Sequence, residues 1–310
     1  MERGFIRRLR PPSHAGIQTC GTLEPASRSP LNIGGIEAFQ REHNANVYRH
    51  RRAARRYGRD VLLTRAEAVA LLRYQPAFAG KDVLDIGVGP GRTTAYLAPL
   101  ARRYQGIDSS PAMVAWFRRA FPHVPMALAD MADMGLFEDA SFDFVLATDN
   151  VFDAVGHADR LRTLREIRRV LRPHGTLMFS SHNRGAHHRG RLPRLQRSRN
   201  PVTQLACMAH WCVALIDKTR LARWQLFTDG YAIVTDQTHG GVMLLYFIDP
   251  EEQRRQLAVA GFELLDAFGQ DGKAMAFDDS VSRSHWVLYV ARRTPESNLI
   301  PFPNERSGNP

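Results

Sequence analysis

Three acids in the first half of the chain could each hold a different part of one nucleoside-like ligand. Residues 83–94 read Val-Leu-Asp-Ile-Gly-Val-Gly-Pro-Gly-Arg-Thr-Thr. Val83, Leu84, Ile86 and Val88 surround Asp85, and Gly87, Gly89 and Gly91 alternate behind it. A buried strand that opens into a glycine loop and then a helix is how doubly wound α/β proteins build nucleotide sites. Dinucleotide sites favour G-x-G-x-x-G, with the helix N-terminus facing a pyrophosphate. The spacing here is D-x-G-x-G-x-G, and an acid before the first glycine suits an ammonium better than a phosphate. Free helix amides beyond Gly91 suit a carboxylate. Asp108 stands 23 positions after Asp85, where an acid can accept both hydroxyls of a ribose. Asp130 with Met131, and Asp149 with Asn150, follow the next two apolar runs.

An alternation of strands and helices must position these groups. Apolar runs predict strands at 82–86, 104–108, 125–129, 142–147 and 176–180. Helices are expected over 92–103, from a Ser110 cap with Pro111 in its first turn, and over 159–171, ended by Pro173-His174-Gly175. Two helices, 36–57 and 65–74, precede the first strand. After an arginine-rich loop at 183–200 come a helix over 203–224 and a hairpin of strands 231–235 and 242–248. A helix from Asp249-Pro250-Glu251 and strands 262–268 and 286–290 close the pattern. Repeated strand–helix units imply a parallel sheet covered on both faces.

Residues 83–94 and the stretch Gly106-Ile107-Asp108-Ser109-Ser110-Pro111-Ala112-Met113 resemble successive motifs of the class I S-adenosylmethionine (SAM) methyltransferases. So do Ser141–Leu146 and Arg169–Leu177, although His174 replaces the commoner glycine. The resemblance covers about residues 81–183 and resumes from Pro250. It implies a doubly wound α/β fold: a seven-stranded, mostly parallel sheet with an antiparallel last strand, plus N-terminal helices and an inserted lid. It also implies SAM as cofactor and S-adenosylhomocysteine as product. Gly87, Gly89 and Gly91 would let backbone approach the cofactor, with Asp85 holding its ammonium directly or through water. The resemblance puts Ser109 and Met113 beside the ribose and adenine. Asp130 would take the adenine amino group, with Met131 supplying a backbone donor and Asp133 competing for the role. Asp149 and Asn150 fall where the methyl group sits.

The expected organisation is a disordered arm at 1–34, a methyltransferase domain at 35–293 and a disordered tail at 294–310. The domain divides into a core, 81–183 and 249–293, and a lid insertion, 184–248. Methyl transfer is an in-line displacement at a sulfonium carbon, so the protein must align a nucleophile, exclude water and remove a proton where there is one. His182, past the fifth strand, and His239, in the hairpin turn, are the candidate bases. Tyr48 and Asn150 are candidates to orient substrate.

The 310 residues are 44% hydrophobic, enough for one α/β domain with additions. No apolar run approaches the ~18 residues of a membrane span. The basic start is not followed by the apolar stretch of a secretory signal. Three cysteines form no disulfide framework and fit a reducing cytoplasm. Cys207, His210 and Cys212 lack a second ligand pair, so buried cysteines in a helix are expected and no metal. The formal charge is +11, carried by arginine far more than lysine.

The helices before the first strand and the lid at 183–248 favour a small-molecule acceptor, methylated at N or O. Trp211, Trp224, Phe227, Tyr231, Tyr246 and Phe247 could line such a lid or pack a satellite core. The alternative is an RNA or protein methyltransferase using two arginine clusters, one at 184–199 and one at 49–56. No recognisable RNA-binding module accompanies the core, and neither signature of DNA methyltransferases is present. Nucleic acid is therefore the less favoured partner, and no membrane partner is expected.

Overall fold

The computed structural model describes residues 32–49, 62–186, 195, 197–235, 243–275 and 284–295. Strand β1 (Asp82–Ile86) is buried along its whole length, as the central strand of a parallel sheet must be. Around it lie β2 (Arg103–Asp108), β3 (Met126–Leu128), β4 (Phe142–Ala147) and β5 (Leu171–Asn183), parallel in the order 3-2-1-4-5. The sheet order reverses beside β1, and open α/β sheets bind ligands at that point.

Six further elements matter for the site: α1 (Ile33–Arg49), α2 (Arg65–Arg73), α3 (Gln75–Phe78), α4 (Thr94–Leu97), α5 (Pro111–Ala120) and α6 (His157–Val170). After β5 come α7 (Pro201–Leu221), β6 (Leu226–Phe227), β7 (Tyr231–Thr235), β8 (Leu244–Ile248), α8 (Pro250–Val259), β9 (Phe262–Gly269) and β10 (Trp286–Arg293). Strand β10 runs antiparallel to both β5 and β9. This completes the expected seven-stranded sheet with its antiparallel last strand.

Alternate residues of the strands feed two cores. Leu84, Val145, Leu177 and Tyr289 face Leu164 and Ile167 of α6 and Leu257 of α8. Val83, Phe144, Met178 and Leu288 face Ala70 of α2, Phe78 of α3, Leu97 of α4 and Phe117 of α5.

The structure adds a feature that the strand pattern did not reveal. β8 joins the end of β5 in parallel, pairing His182 with Phe247 and Asn183 with Ile248. With β7 and β6 antiparallel beyond it, the sheet has ten strands, and the expected hairpin is an extension of the core sheet. Both faces of this extension are apolar. Ile233, Leu244 and Tyr246 pack with Ile36 and Leu221, whereas Ala232, Val234, Leu245 and Phe247 pack with Val47 and Tyr48.

Several expected boundaries shift. The helix foreseen over 92–103 is a series of turns around the four residues of α4, and Pro99, with no N–H to give, follows it. Helix α6 ends at Val170, ahead of Pro173-His174-Gly175 as expected, but β5 begins at Leu171, so the tripeptide lies inside the strand's irregular start. His174 takes φ 63° there. Helix α1 is described only as far as Arg49, so the expected stretch 50–57 lies outside the described residues. So do His239, residues 1–31 of the expected arm 1–34 and residues 296–310 of the expected tail 294–310, while Ile33 and Gly34, placed in that arm, already belong to α1. The cysteines do lie in a helix, α7, but Cys212 is exposed and Cys207 only partly buried. That helix buries Ala214 and Leu221 and also holds Val202, Leu205, Met208, Val213 and Ile216 out to solvent.

Candidate active site

The glycine loop is fastened by the acids around it. Asp85, at the end of β1, is 1% exposed. Its Oδ2 accepts the hydroxyls of Thr93 at 2.5 Å and Tyr104 at 2.7 Å. Burial raises its pKa from the usual 3.8 to about 6, against the lowering effect of those two donors. Asp108, at the end of β2, accepts the Gly89 amide at 3.0 Å on Oδ2 and the Ser110 amide at 2.8 Å on Oδ1. Its pKa is also raised, by burial, while those amides oppose the shift.

Gly87, Gly89 and Gly91 all have positive φ, which a β-carbon penalises. A β-carbon on Gly87 would lie 2.6 Å from Val151, and one on Gly91 2.3 Å from Phe121. One on Gly89 would project into open space, its nearest neighbour the Gly87 carbonyl at 4.0 Å. Two glycines thus admit protein packing, and the third leaves an open cradle beside Asp108. Behind the loop, Arg92 forks onto Glu67 at 2.6 and 2.7 Å. Burial pushes the Glu67 pKa up, but Arg92 and the Thr64 donors outweigh it and hold it below the usual range. This pair ties α2 to the loop.

The ends of β4 and β5 form a second cluster. Asp149 and Asn150 take consecutive left-handed conformations, φ 58° and 57°, which Asp and Asn tolerate better than most residues. They turn the chain into a 3₁₀ turn, Val151–Ala154, whose two ends serve different groups. Val151 packs on Gly87. Asp153, fully buried, receives His182 Nδ1 at 2.7 Å and the His182 amide at 2.6 Å on Oδ2. Its Oδ1 receives Arg160 at 2.9 Å and the Ser181 hydroxyl at 2.6 Å.

Arg160 is 0% exposed. It also donates to Ser181 Oγ and Gln253 Oε1 and stacks over Tyr246 at 4.8 Å. With Nδ1 donating to Asp153, the other ring nitrogen of His182 is the acceptor. That Nε2 lies 3.4 Å from Asn150 Nδ2, and Asn150 Oδ1 is buried with no hydrogen-bond partner. The Asn150 amide donates to Ser180 Oγ at 2.8 Å, which locks β4 to β5.

The remaining candidates ring these two clusters. Met113 is buried on α5 and Ser109 is exposed. Asp130 caps its own turn by accepting the Ala132 amide at 2.9 Å and is also paired with Arg41 of α1. Met131 is buried in the core face shared with α6. Asp133 is exposed, and its backbone amide donates to the Asp130 carbonyl at 3.1 Å. Tyr48 packs on the same β7–β8 face as Phe247, whose ring lies 4.7 Å from that of His182. The Tyr48 carbonyl accepts the Ser110 hydroxyl at 3.0 Å. Among the described residues, no three His, Cys, Asp or Glu side chains are placed to hold a metal.

Sequence reasoning missed Asp153, Arg160 and the Glu67–Arg92 pair. Asp153 in Asn150-Val151-Phe152-Asp153 carries no spacing signal, because a 3₁₀ turn and not a helix or strand aims it. Arg160 shares its helix with several other arginines, so residue type does not single it out. Its position on the buried stripe with Thr163, Leu164 and Ile167 was the available clue.

Residues 84–179 match a family described as a methyltransferase domain. A probable SAM-dependent methyltransferase of Mycolicibacterium smegmatis is 36% identical over 121 residues, 39% of this chain and 45% of that protein. The trans-aconitate 2-methyltransferase of Escherichia coli is 47% identical over 66 residues, 21% of this chain and 26% of that one. These matches thus span less than half the length of the curated relatives. The crystal structure of the Burkholderia thailandensis 1,6-didemethyltoxoflavin N1-methyltransferase superposes with a TM-score of 0.52 at 16% identity, covering 87% of this chain and 94% of that one. Residues 84–179 are a class I SAM-dependent methyltransferase domain, and the fold built around them is the Rossmann-like one of that class.

Proposed function

We propose that this methyltransferase domain transfers a methyl group from SAM to an N or O atom of a small-molecule acceptor, with His182 taking the acceptor's proton. SAM supplies an electrophilic methyl carbon on a good leaving group. The residues around the glycine loop fit it. The open side of Gly89 admits a ligand against backbone, and Asp108 can share its carboxylate with ribose hydroxyls. Asp85 acts through the loop it fastens, since its own carboxylate is turned onto Thr93 and Tyr104. Asp130 would serve the adenine amino group, with Met113, Met131 and Ser109 nearby, and Asp149 would border the methyl.

The observation that carries the acceptor assignment is the Asp153–His182 pair at the ends of β4 and β5. Asp153 fixes the ring so that Nε2 is the basic atom. Asn150, with its unpartnered Oδ1, can orient an acceptor N–H or O–H beside it. Phe247 and Tyr48 add apolar surface for the body of a small molecule. Such a base matters only for an acceptor that reacts after losing a proton, which favours hydroxyl or amine groups over carboxylates. The acceptors in the names of two similar proteins, trans-aconitate and 1,6-didemethyltoxoflavin, are small molecules.

A cell extract incubated with methyl-labelled SAM and the full chain tests this. Label is expected in the small-molecule fraction. Label in RNA or protein instead would establish the alternative.

A further inference from the structure

Helix α7 is apolar on both sides, whereas an ordinary surface helix turns one apolar stripe to the core and a polar side to water. Val202, Leu205, Met208, Val213 and Ile216 are exposed by 77, 69, 47, 52 and 48%. At 3.6 residues per turn these five share one side of the helix, in a strip roughly 20 Å long. Ala209 and Cys212 continue that strip between them, both exposed. The opposite side meets the rest of the protein through Ala214 and Leu221, both buried, so the exposed strip is apolar surface beyond what the fold uses. An apolar strip of a few hundred Å2 held out to solvent marks an interaction surface.

The charge around the strip points to its partner. Arg197 and Arg199 precede α7, Arg220 lies one turn past Ile216, and Arg223 follows; all four are exposed. The only acid from Arg197 to Arg223 is Asp217. We propose that α7 docks the protein on an anionic membrane surface. The strip enters the boundary between headgroups and acyl chains, and the four arginines meet lipid phosphates. Among the described residues no helix is long and apolar enough to cross a membrane, so the contact is peripheral. A second copy fits the strip less well. A two-fold interface would bring the same arginines against one another, over less than the ~800 Å2 per partner of a stable pair.

Sedimentation of the full chain with phosphatidylcholine vesicles, with and without phosphatidylglycerol, tests the proposal. A general basic charge would bind anionic vesicles without the strip, so the decisive variant keeps the charge. Leu205→Ser with Val213→Ser changes two exposed side chains, and circular dichroism checks that the fold is retained. Wild type is expected to sediment with the phosphatidylglycerol vesicles, and the double variant to bind on the order of tenfold less. Arg220→Ala with Arg223→Ala is expected to weaken binding and reduce its salt dependence. Equal sedimentation of wild type and the double serine variant would overturn the proposal, as would no binding by wild type. Light scattering that finds a wild-type dimer and a monomeric serine variant would overturn it in favour of a second copy.

Discussion

Asp108 holds both the glycine loop and the start of α5, through Gly89 and Ser110. Asp108→Ala should therefore weaken S-adenosylhomocysteine binding at least tenfold in calorimetry, because loop geometry and ribose contact are lost together. Unchanged affinity would remove it from the cofactor site. Asp85 makes a different prediction. Its folded pKa, about 6, lies above the usual 3.8, so the folded chain holds this proton more tightly than the unfolded one. The stabilisation is complete below about 3.8 and is lost as pH rises through about 6, a swing of roughly 3 kcal/mol. The Tm of wild type relative to Asp85→Asn should fall across that window in thermal melts, and a constant difference would refute the assignment. At the acceptor end, Asp153→Asn should alter the pH profile of turnover without changing S-adenosylhomocysteine affinity. A purely structural Asp153 would lower Tm and leave the profile alone. Asp85, Asp108 and Asp130 stood out in the sequence because each falls at or just after an apolar run. Asp153 did not, because its partner His182 is distant in sequence and only the β4–β5 pairing brings them together.

Helix α1 was expected from residue 36, but the way it docks leaves no mark in hydropathy. Its buried stripe is Ile36, Gln40 and Asn44, two amides out of three. Gln40 donates to the Val155 and Leu244 carbonyls at 3.3 and 3.0 Å. Asn44 donates to Ala154 and Leu244 and accepts the Leu244 amide at 3.2 Å. Glu37 accepts the His157 amide at 2.9 Å and so caps α6, whose own N-cap is Gly156. The helix is thus docked by amides on backbone, joining the 3₁₀ turn that aims Asp153 to the lid strand β8. Asn44→Ala should cost about 1–3 kcal/mol in denaturant unfolding, and a change below a few tenths would show that α1 docks by other means. His157 lies where α1, α6 and the lid meet. It is hydrogen-bonded to the Tyr246 hydroxyl at 2.8 Å and stacked on Tyr231. Burial, and then the charge of Arg160, lowers its pKa from 6.5 to about 4. The unfolded chain therefore takes up this proton first, and stability falls as pH drops from 6.5 towards 4. Thermal melts of His157→Gln should lose that acid sensitivity; if they keep it, another group is responsible. Strands β7 and β8 were legible as two apolar runs with a turn between them. Their attachment to β5 was not, because two residue pairs carry it.

For the molecule as a whole, the sheet brings three distant parts of the chain to one edge. The glycine loop, the β4–β5 turn and the α1–lid pair are joined by Val151 on Gly87, by Phe247 against His182 and by Tyr48 at Ser110. The glycine loop and the acids beside it were readable from local motifs. The acceptor half depends on contacts between residues far apart in sequence, and its polar docking leaves no hydrophobic period to find. Of the arginines that suggested nucleic acid, Arg184 is spent on internal pairing with Asp249 at 3.1 Å, and most of the others lie outside the described residues. Mass spectrometry of a cell extract given methyl-labelled SAM, with wild type and His182→Gln at matched S-adenosylhomocysteine occupancy, tests the methyl-transfer site most directly. A small metabolite that gains the label with wild type should gain it about a hundredfold more slowly, or slower still, with the variant. Equal labelling by the two proteins would contradict the site assigned to His182 and Asp153.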